Sequence, residues 1–280
     1  MQFPSSEMRP QMVIFGDSIT EQSFRSGGWG ASLADNYSRK HGYSKNSAVR
    51  VPGTYRVRVR VPVRRYAYRV REKRVRYVWL IRGSATPPVA TTIFFGANDA
   101  ALFGRTSERQ HVPTEEYKEN LRKIVHHLKE IYLPWRGLDS PIVAHGHEGF
   151  SSFLTTMAAS GLGNPSCSLG HALSSRAMEL PERTNEMTGV YAKQCVELAK
   201  ELGLPSINLW LKMQETEGWQ KKFLSDGLHL TPEGNAVVHQ EVVRVFNEAG
   251  LSAPEMPYDF PHHSEIDGKA PEKAFQQQCL

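Results

Sequence analysis

Residues 12–21 read MVIFGDSITE: four apolar residues, a glycine, then Asp17-Ser18 and a polar stretch. An apolar run this short, closed by Gly16, predicts a strand buried on both faces. The serine after it has two readings. Ser18-Ile19-Thr20-Glu21 fits the S-x-x-E capping box, in which the Ser18 hydroxyl accepts from a free N–H of the first helical turn and Glu21 reaches back. A serine on a turn beyond a strand can also be a nucleophile. That chemistry needs a base, a group to orient the base, and donors for the developing oxyanion. The rest of the chain has to supply them.

Outward from this stretch, strand and helix patterns alternate. Trp29, Leu33 and Tyr37 recur four apart within 27–40, a helical stripe. VATTIFFGAND (89–99) repeats the opening pattern of apolar run, glycine and polar residues. TEEYKENLRKIVHHLKEIY (114–132) is an amphipathic helix, with Tyr117, Leu121, Ile124, Val125, Leu128 and Ile131 on one side. SPIVA (140–144) is a third short apolar run, 181–203 a helix stopped at Gly203, and LPSINLW (204–210) a fourth strand candidate. The stretch 231–250 has Thr231 as N-cap, Pro232 at the first helical position and Gly250 beyond the end. Strands alternating with helices of this length imply a parallel sheet covered on both faces, within one domain spanning 1–280. Such sheets hold their sites in loops beyond the carboxyl ends of the strands. Gly16-Asp17-Ser18 and Gly96-Ala97-Asn98-Asp99 both occupy that position.

The chain of 280 residues suits one large, well-filled domain, and 40% of it is hydrophobic. No apolar stretch is long enough to span a bilayer, and the N-terminus lacks the basic start and apolar core of a signal peptide. Cys167, Cys195 and Cys279 are odd in number and share no metal-type spacing, which implies reduced thiols and a cytoplasmic protein. Cys195, in a helical stretch, reads as a small core residue.

The net charge of +5 hides an asymmetry. Residues 50–82 hold 12 Lys/Arg against one acid, Glu72, so this segment carries +11 and the remainder −6. The segment is dominated by Arg-Val alternation, which can make a half-solvated strand; Pro62 would confine it to an edge. Residues 145–178 are small, polar and Gly/Ser-rich, and read as a long loop or insertion.

Asp226-Gly227-Leu228-His229 precedes the last helix. A carboxylate three residues before a histidine, with glycine between, can accept from one ring nitrogen and leave the other free to take a proton. The same residues can equally cap the neighbouring helix. Asn98 carries an amide able to donate to an oxyanion, although asparagine also favours tight turns after strands.

Taken jointly, GDS after the first strand, GxND after a later one and DGxH before the final helix resemble the GDSL (SGNH) hydrolase family. The wording FGDSITE, TIFFGANDA, LPERTNEMTGVYAK and LSDGLHLTPEGN is most similar to its isoamyl acetate-hydrolysing esterase branch. The similarity covers residues 8–40, 86–138 and 179–270. It implies a flavodoxin-like three-layer α/β/α sandwich and hydrolysis of short-chain carboxylic esters without metal or other cofactor. Residue by residue it makes Ser18 the nucleophile, His229 the general base and then acid, and Asp226 the group that orients His229. Asn98 and the Ser18 N–H would be oxyanion donors. The family's second block adds a glycine N–H from a loop after the second strand. Here residues 41–85 do not match it; Gly42 in HGYSKN is the best candidate and Gly53 the second.

The pattern also departs at 145–178. Two losses of resemblance with good matches on either side fit a variant gene product, an impaired pseudo-enzyme. The Arg- and Tyr-bearing segment 50–82 could instead bind nucleic acid. His145-Gly146-His147-Glu148 could form a metal site. Trp29 is either helix-packing core or part of an acyl pocket. The sequence leaves oligomeric state open.

Overall fold

Alternate residues of strand β1 (Gln11–Gly16) enter two different cores. Met12 and Ile14 pack with Trp29 and Leu33 of helix α2 (Trp29–Asn36) and with Val238, Val242 and Phe246 of α7 (Pro232–Glu248). Val13 and Phe15 pack with Tyr117, Leu121 and Val125 of α3 (Thr114–Tyr132) and with Tyr191, Cys195 and Leu198 of α4 (Asn185–Glu201). A strand whose successive side chains point to opposite faces, with both faces apolar, requires a helical layer on each side. The result is a three-layer α/β/α fold. The computed structural model describes residues 11–38, 56–60, 88–132, 151–156, 181–256 and 263–276.

The other strands are β2 (Arg56–Arg60), β3 (Ala90–Phe94), β4 (Ser151–Thr156) and β5 (Ser206–Asn208). All pair in parallel in the order β2-β1-β3-β4-β5. This is the flavodoxin-like order. The chain runs from β1 outward to β2 and then returns to β3, so the topological switch lies between β1 and β3, where open α/β sheets bind ligands.

Several expected elements occur as read. The helical stripe at 114–132 buries Tyr117, Leu121, Ile124, Val125 and Leu128 to 4% exposure or less. Helix α7 has Thr231 as N-cap, its hydroxyl accepting from Gly234 N at 3.1 Å, with Pro232 in the first turn. Helix α4 starts later than 181, where Thr184 accepts from Met187 N at 3.2 Å.

Other expectations are corrected. Residues 151–156, inside the stretch read as a loop, form β4, a central strand between β3 and β5. Ser151-Ser152-Phe153-Leu154-Thr155-Thr156 has only two strongly apolar residues, so pairing on both edges fixes it rather than its own pattern. The strand read at 204–210 stops at Asn208, whose side chain accepts from Leu211 N at 3.0 Å and starts helix α5 (Leu209–Gln214). In the basic segment, Arg56–Arg60 is an edge strand beside β1, which suits its alternation. The apolar run at 140–144 lies outside the described residues, as does most of 50–82.

Candidate active site

The turn after β1 is built on a close approach. A Cβ at Gly16 would sit 2.0 Å from Thr20 Oγ1 and 2.6 Å from the Phe94 carbonyl oxygen, so only glycine lets the chain pass the end of β3. The chain then enters α1 (Ser18–Glu21). The capping box is not what forms here. Asp17 is the N-cap, and its Oδ1 accepts from Ile19 N at 3.0 Å. Aspartate caps as well as serine does, and with Asp17 in place the Ser18 hydroxyl is released from that duty. Ser18 Oγ lies 3.1 Å from His229 Nε2, a contact between residues 211 apart in the chain.

His229 and Asp226 sit on the turn between α6 (Trp219–Phe223) and α7. Ser225 N donates to the His229 carbonyl at 2.8 Å, which closes the turn, and Gly227 takes the left-handed φ of 81° that it needs. Asp226 Oδ1 accepts from Leu228 N at 3.0 Å and from His229 N at 2.7 Å, and its Oδ2 lies 2.7 Å from His229 Nδ1. Helix capping is excluded for this pair, because Thr231 holds the cap of α7.

Burial pushes the Asp226 carboxyl up, but the donors from His229 N, His229 Nδ1 and Leu228 N outweigh it and hold the group below its ordinary range. An ionised carboxylate only accepts, so His229 Nδ1 donates to it, and in the neutral ring Nε2 is then the acceptor that faces Ser18. A depressed carboxylate value adds stability that is present above its unfolded value and lost as pH falls through the folded one. The stability gap between wild type and Asp226→Asn should therefore close as pH falls below the ordinary carboxylate range. Paired thermal melts against pH measure this; a gap that does not change with pH would contradict it.

Asn98 follows β3, across the switch point from Ser18. Its Nδ2 donates to Asp17 Oδ2 at 3.3 Å. The backbone of this loop is held from below by Arg183, which is only 7% exposed. Arg183 Nε donates to the Ala97 carbonyl at 2.6 Å and its guanidinium also reaches Gln110 Oε1. Leu102 N donates to the Glu182 carbonyl at 2.9 Å, a second tie between the same segments. Sequence reasoning did not single out Asp17 or Arg183. Asp17 had a readable signal, a good capping residue directly before the helix; Arg183 had none, since an arginine near a helix start is ordinary.

The structure thus brings Ser18, His229, Asp226 and Asn98 to one end of the sheet. Gly42 and Gly53 lie outside the described residues, and both precede β2 in the chain, whereas the expected donor follows the second strand. His145-Gly146-His147-Glu148 is outside them too. Trp29 is core: it is 1% exposed, with its ring centroid 6.1 Å from that of Phe94. Cys195 is fully buried, and burial pushes its thiol up to about 12, against the lowering effect of a hydrogen bond with Tyr117. Among the described residues no helix is long and apolar enough to cross a membrane.

Comparison with known proteins agrees with the fold and shows the family. A family model described as GDSL-like lipase/acylhydrolase matches residues 12–242. A GDSL esterase/lipase of Arabidopsis thaliana is 54% identical over 276 residues, covering 98% of this chain and all of the relative. An isoamyl acetate-hydrolyzing esterase 1 homolog of Bos taurus is 33% identical over 272 residues, covering 94% and 90% of the two chains. In fold, the chain is similar to a lipase/acylhydrolase of Enterococcus faecalis, with a TM-score of 0.52 at 19% identity, covering 90% of this chain and 98% of that one. The chain belongs to the GDSL-like lipase/acylhydrolase family and is a carboxylic ester hydrolase.

Proposed function

We propose that Ser18 is the nucleophile of an acyl-enzyme mechanism acting on esters of short acyl chains. The observation that carries the reading is the continuous relay from Ser18 Oγ to His229 Nε2 at 3.1 Å and from His229 Nδ1 to Asp226 Oδ2 at 2.7 Å. In the first step Ser18 Oγ attacks the ester carbonyl carbon while His229 Nε2 takes the hydroxyl proton. Asp226 holds the ring in the tautomer that permits this and stabilises the imidazolium. The tetrahedral intermediate carries its negative charge on the former carbonyl oxygen, which accepts from the Ser18 N–H and the Asn98 amide. As the intermediate collapses, the C–O bond to the alcohol breaks and His229 returns the proton to the leaving alkoxide. Water then repeats the sequence, and the carboxylic acid leaves with Ser18 restored. The whole chain 1–280 serves as one domain in this reading.

The short-chain preference is supported by relatives named for hydrolysis of isoamyl acetate, an ester of a two-carbon acid. A series of p-nitrophenyl esters from acetate to palmitate tests it. We expect kcat/KM to be highest at acetate or butyrate and lower by about tenfold or more at the long end, a difference on the scale of a few poorly accommodated methylenes. A maximum at palmitate would overturn the short-chain assignment while leaving the mechanism in place; no hydrolysis of any member would overturn both.

A further inference from the structure

Each carboxylate oxygen of Asp17 accepts a hydrogen bond, and the one at Oδ2 is not needed for the helix. Oδ1 accepts from Ile19 N at 3.0 Å, which is the cap. Oδ2 accepts from Asn98 Nδ2 at 3.3 Å. We propose that Asp17 is a positioning residue for Asn98: its carboxylate fixes which end of the Asn98 amide is turned to the developing oxyanion. The inference rests on the assignment of Asn98 as an oxyanion donor.

The physical problem is the two-fold torsion at the end of an asparagine side chain. Its terminal rotation is broad, and the two orientations have nearly the same shape. They differ in chemistry, since one offers N–H groups and the other a carbonyl oxygen. An amide that turned its oxygen toward the oxyanion would oppose the charge it is meant to stabilise. A carboxylate is acceptor-only, so the group facing Asp17 must be the NH2. That nitrogen carries two hydrogens; one is spent on Asp17 and the second remains for substrate. The backbone on the other side is already fixed, because Arg183 holds the Ala97 carbonyl at 2.6 Å. Arg183 therefore sets where Asn98 starts, and Asp17 sets how its amide faces.

The arrangement has a cost, for it keeps a carboxylate near a site of developing negative charge. The two N–H donors from Ile19 and Asn98 reduce its field, and the helix cap requires an acceptor at this position in any case. A residue that capped the helix without a second acceptor atom would avoid the charge and lose control of the amide. This separates the two roles by experiment.

The test compares Asp17→Ser, Asn98→Ala and the double variant, on p-nitrophenyl acetate, with Ser18→Ala as the control for the mechanism itself. Serine keeps a capping hydroxyl and lacks the second oxygen, so the melting temperature of Asp17→Ser should stay within a few degrees of wild type. Its kcat should fall about 10–100-fold with KM little changed, part of the loss of about 10²–10³-fold expected for removing the donor in Asn98→Ala. The double variant should be no slower than Asn98→Ala. Should Asp17→Ser not fold, Asp17→Asn keeps the capping oxygen and turns an NH2 toward Asn98, which forces the Asn98 amide over; kcat should fall in the same way. Wild-type kcat in either folded variant would overturn the proposal, as would losses that multiply in the double variant. Unchanged kcat in Asn98→Ala would remove the donor assignment and the proposal with it. A fully active Ser18→Ala would remove the mechanism, an outcome distinct from the others.

Discussion

Ser18→Ala should lose ester hydrolysis by about 10⁶-fold, the scale on which removing the nucleophile of such a relay acts. The melting temperature should barely move. On the sequence alone, Ser18 reads as a helix cap whose loss costs about 1 kcal/mol; the structure transfers that role to Asp17, which accepts from Ile19 N. What Ser18→Ala removes is one half-exposed hydrogen bond to His229 at 3.1 Å. Steady-state assay and thermal melting on the same preparation separate the two effects. Undiminished turnover would end the mechanism, and a large fall in melting temperature would restore the cap.

His229→Ala should cost about as much as Ser18→Ala, because residues that act as a unit are not additive. The double variant Ser18→Ala/His229→Ala should be little slower than either single one. Asp226→Asn should cost less, about 10⁴-fold, since the base remains and only its tautomer and orientation suffer. The structure adds a reason for that loss to be large here. Asp226 accepts from the backbone N–H of His229 as well as from its ring, so the same carboxylate fixes both the turn and the imidazole. Multiplicative losses in the double variant would mean that Ser18 and His229 do not work together.

Much of the fold was legible because its strands and helices carry their own periodicity. β1 and β3 are short apolar runs ended by glycine, and α3 shows its buried face as a stripe from Tyr117 to Leu128. β4 was not legible: Ser151–Thr156 is polar enough to pass for loop, and its place between β3 and β5 is a tertiary fact. β2 is intermediate, since Arg-Val alternation suggested an edge strand but not its partner, β1. In the site, each of Ser18, Asn98 and the Asp226–His229 pair had an ordinary local explanation. Only their joint occurrence pointed to chemistry, and only folding joins residues 211 apart. The cap was misplaced because Asp17 and Ser18 are adjacent and equally suited, and sequence alone does not choose between them. Arg183 was invisible because its importance lies in where it is buried, 86 residues from the carbonyl it holds. The match to the Arabidopsis relative runs over 98% of this chain, across both segments where the motif resemblance lapses.

The most direct measurement is reaction with a fluorophosphonate ester, which captures an activated serine as a stable adduct, followed by mass spectrometry of the intact chain and its peptides. The acyl-enzyme mechanism predicts one phosphonyl group per chain, on Ser18, with loss of hydrolysis in step with labelling and almost no labelling of His229→Ala. An enzyme that hydrolyses p-nitrophenyl acetate while Ser18 stays unlabelled, or whose activity disappears with an adduct on another residue, would contradict it.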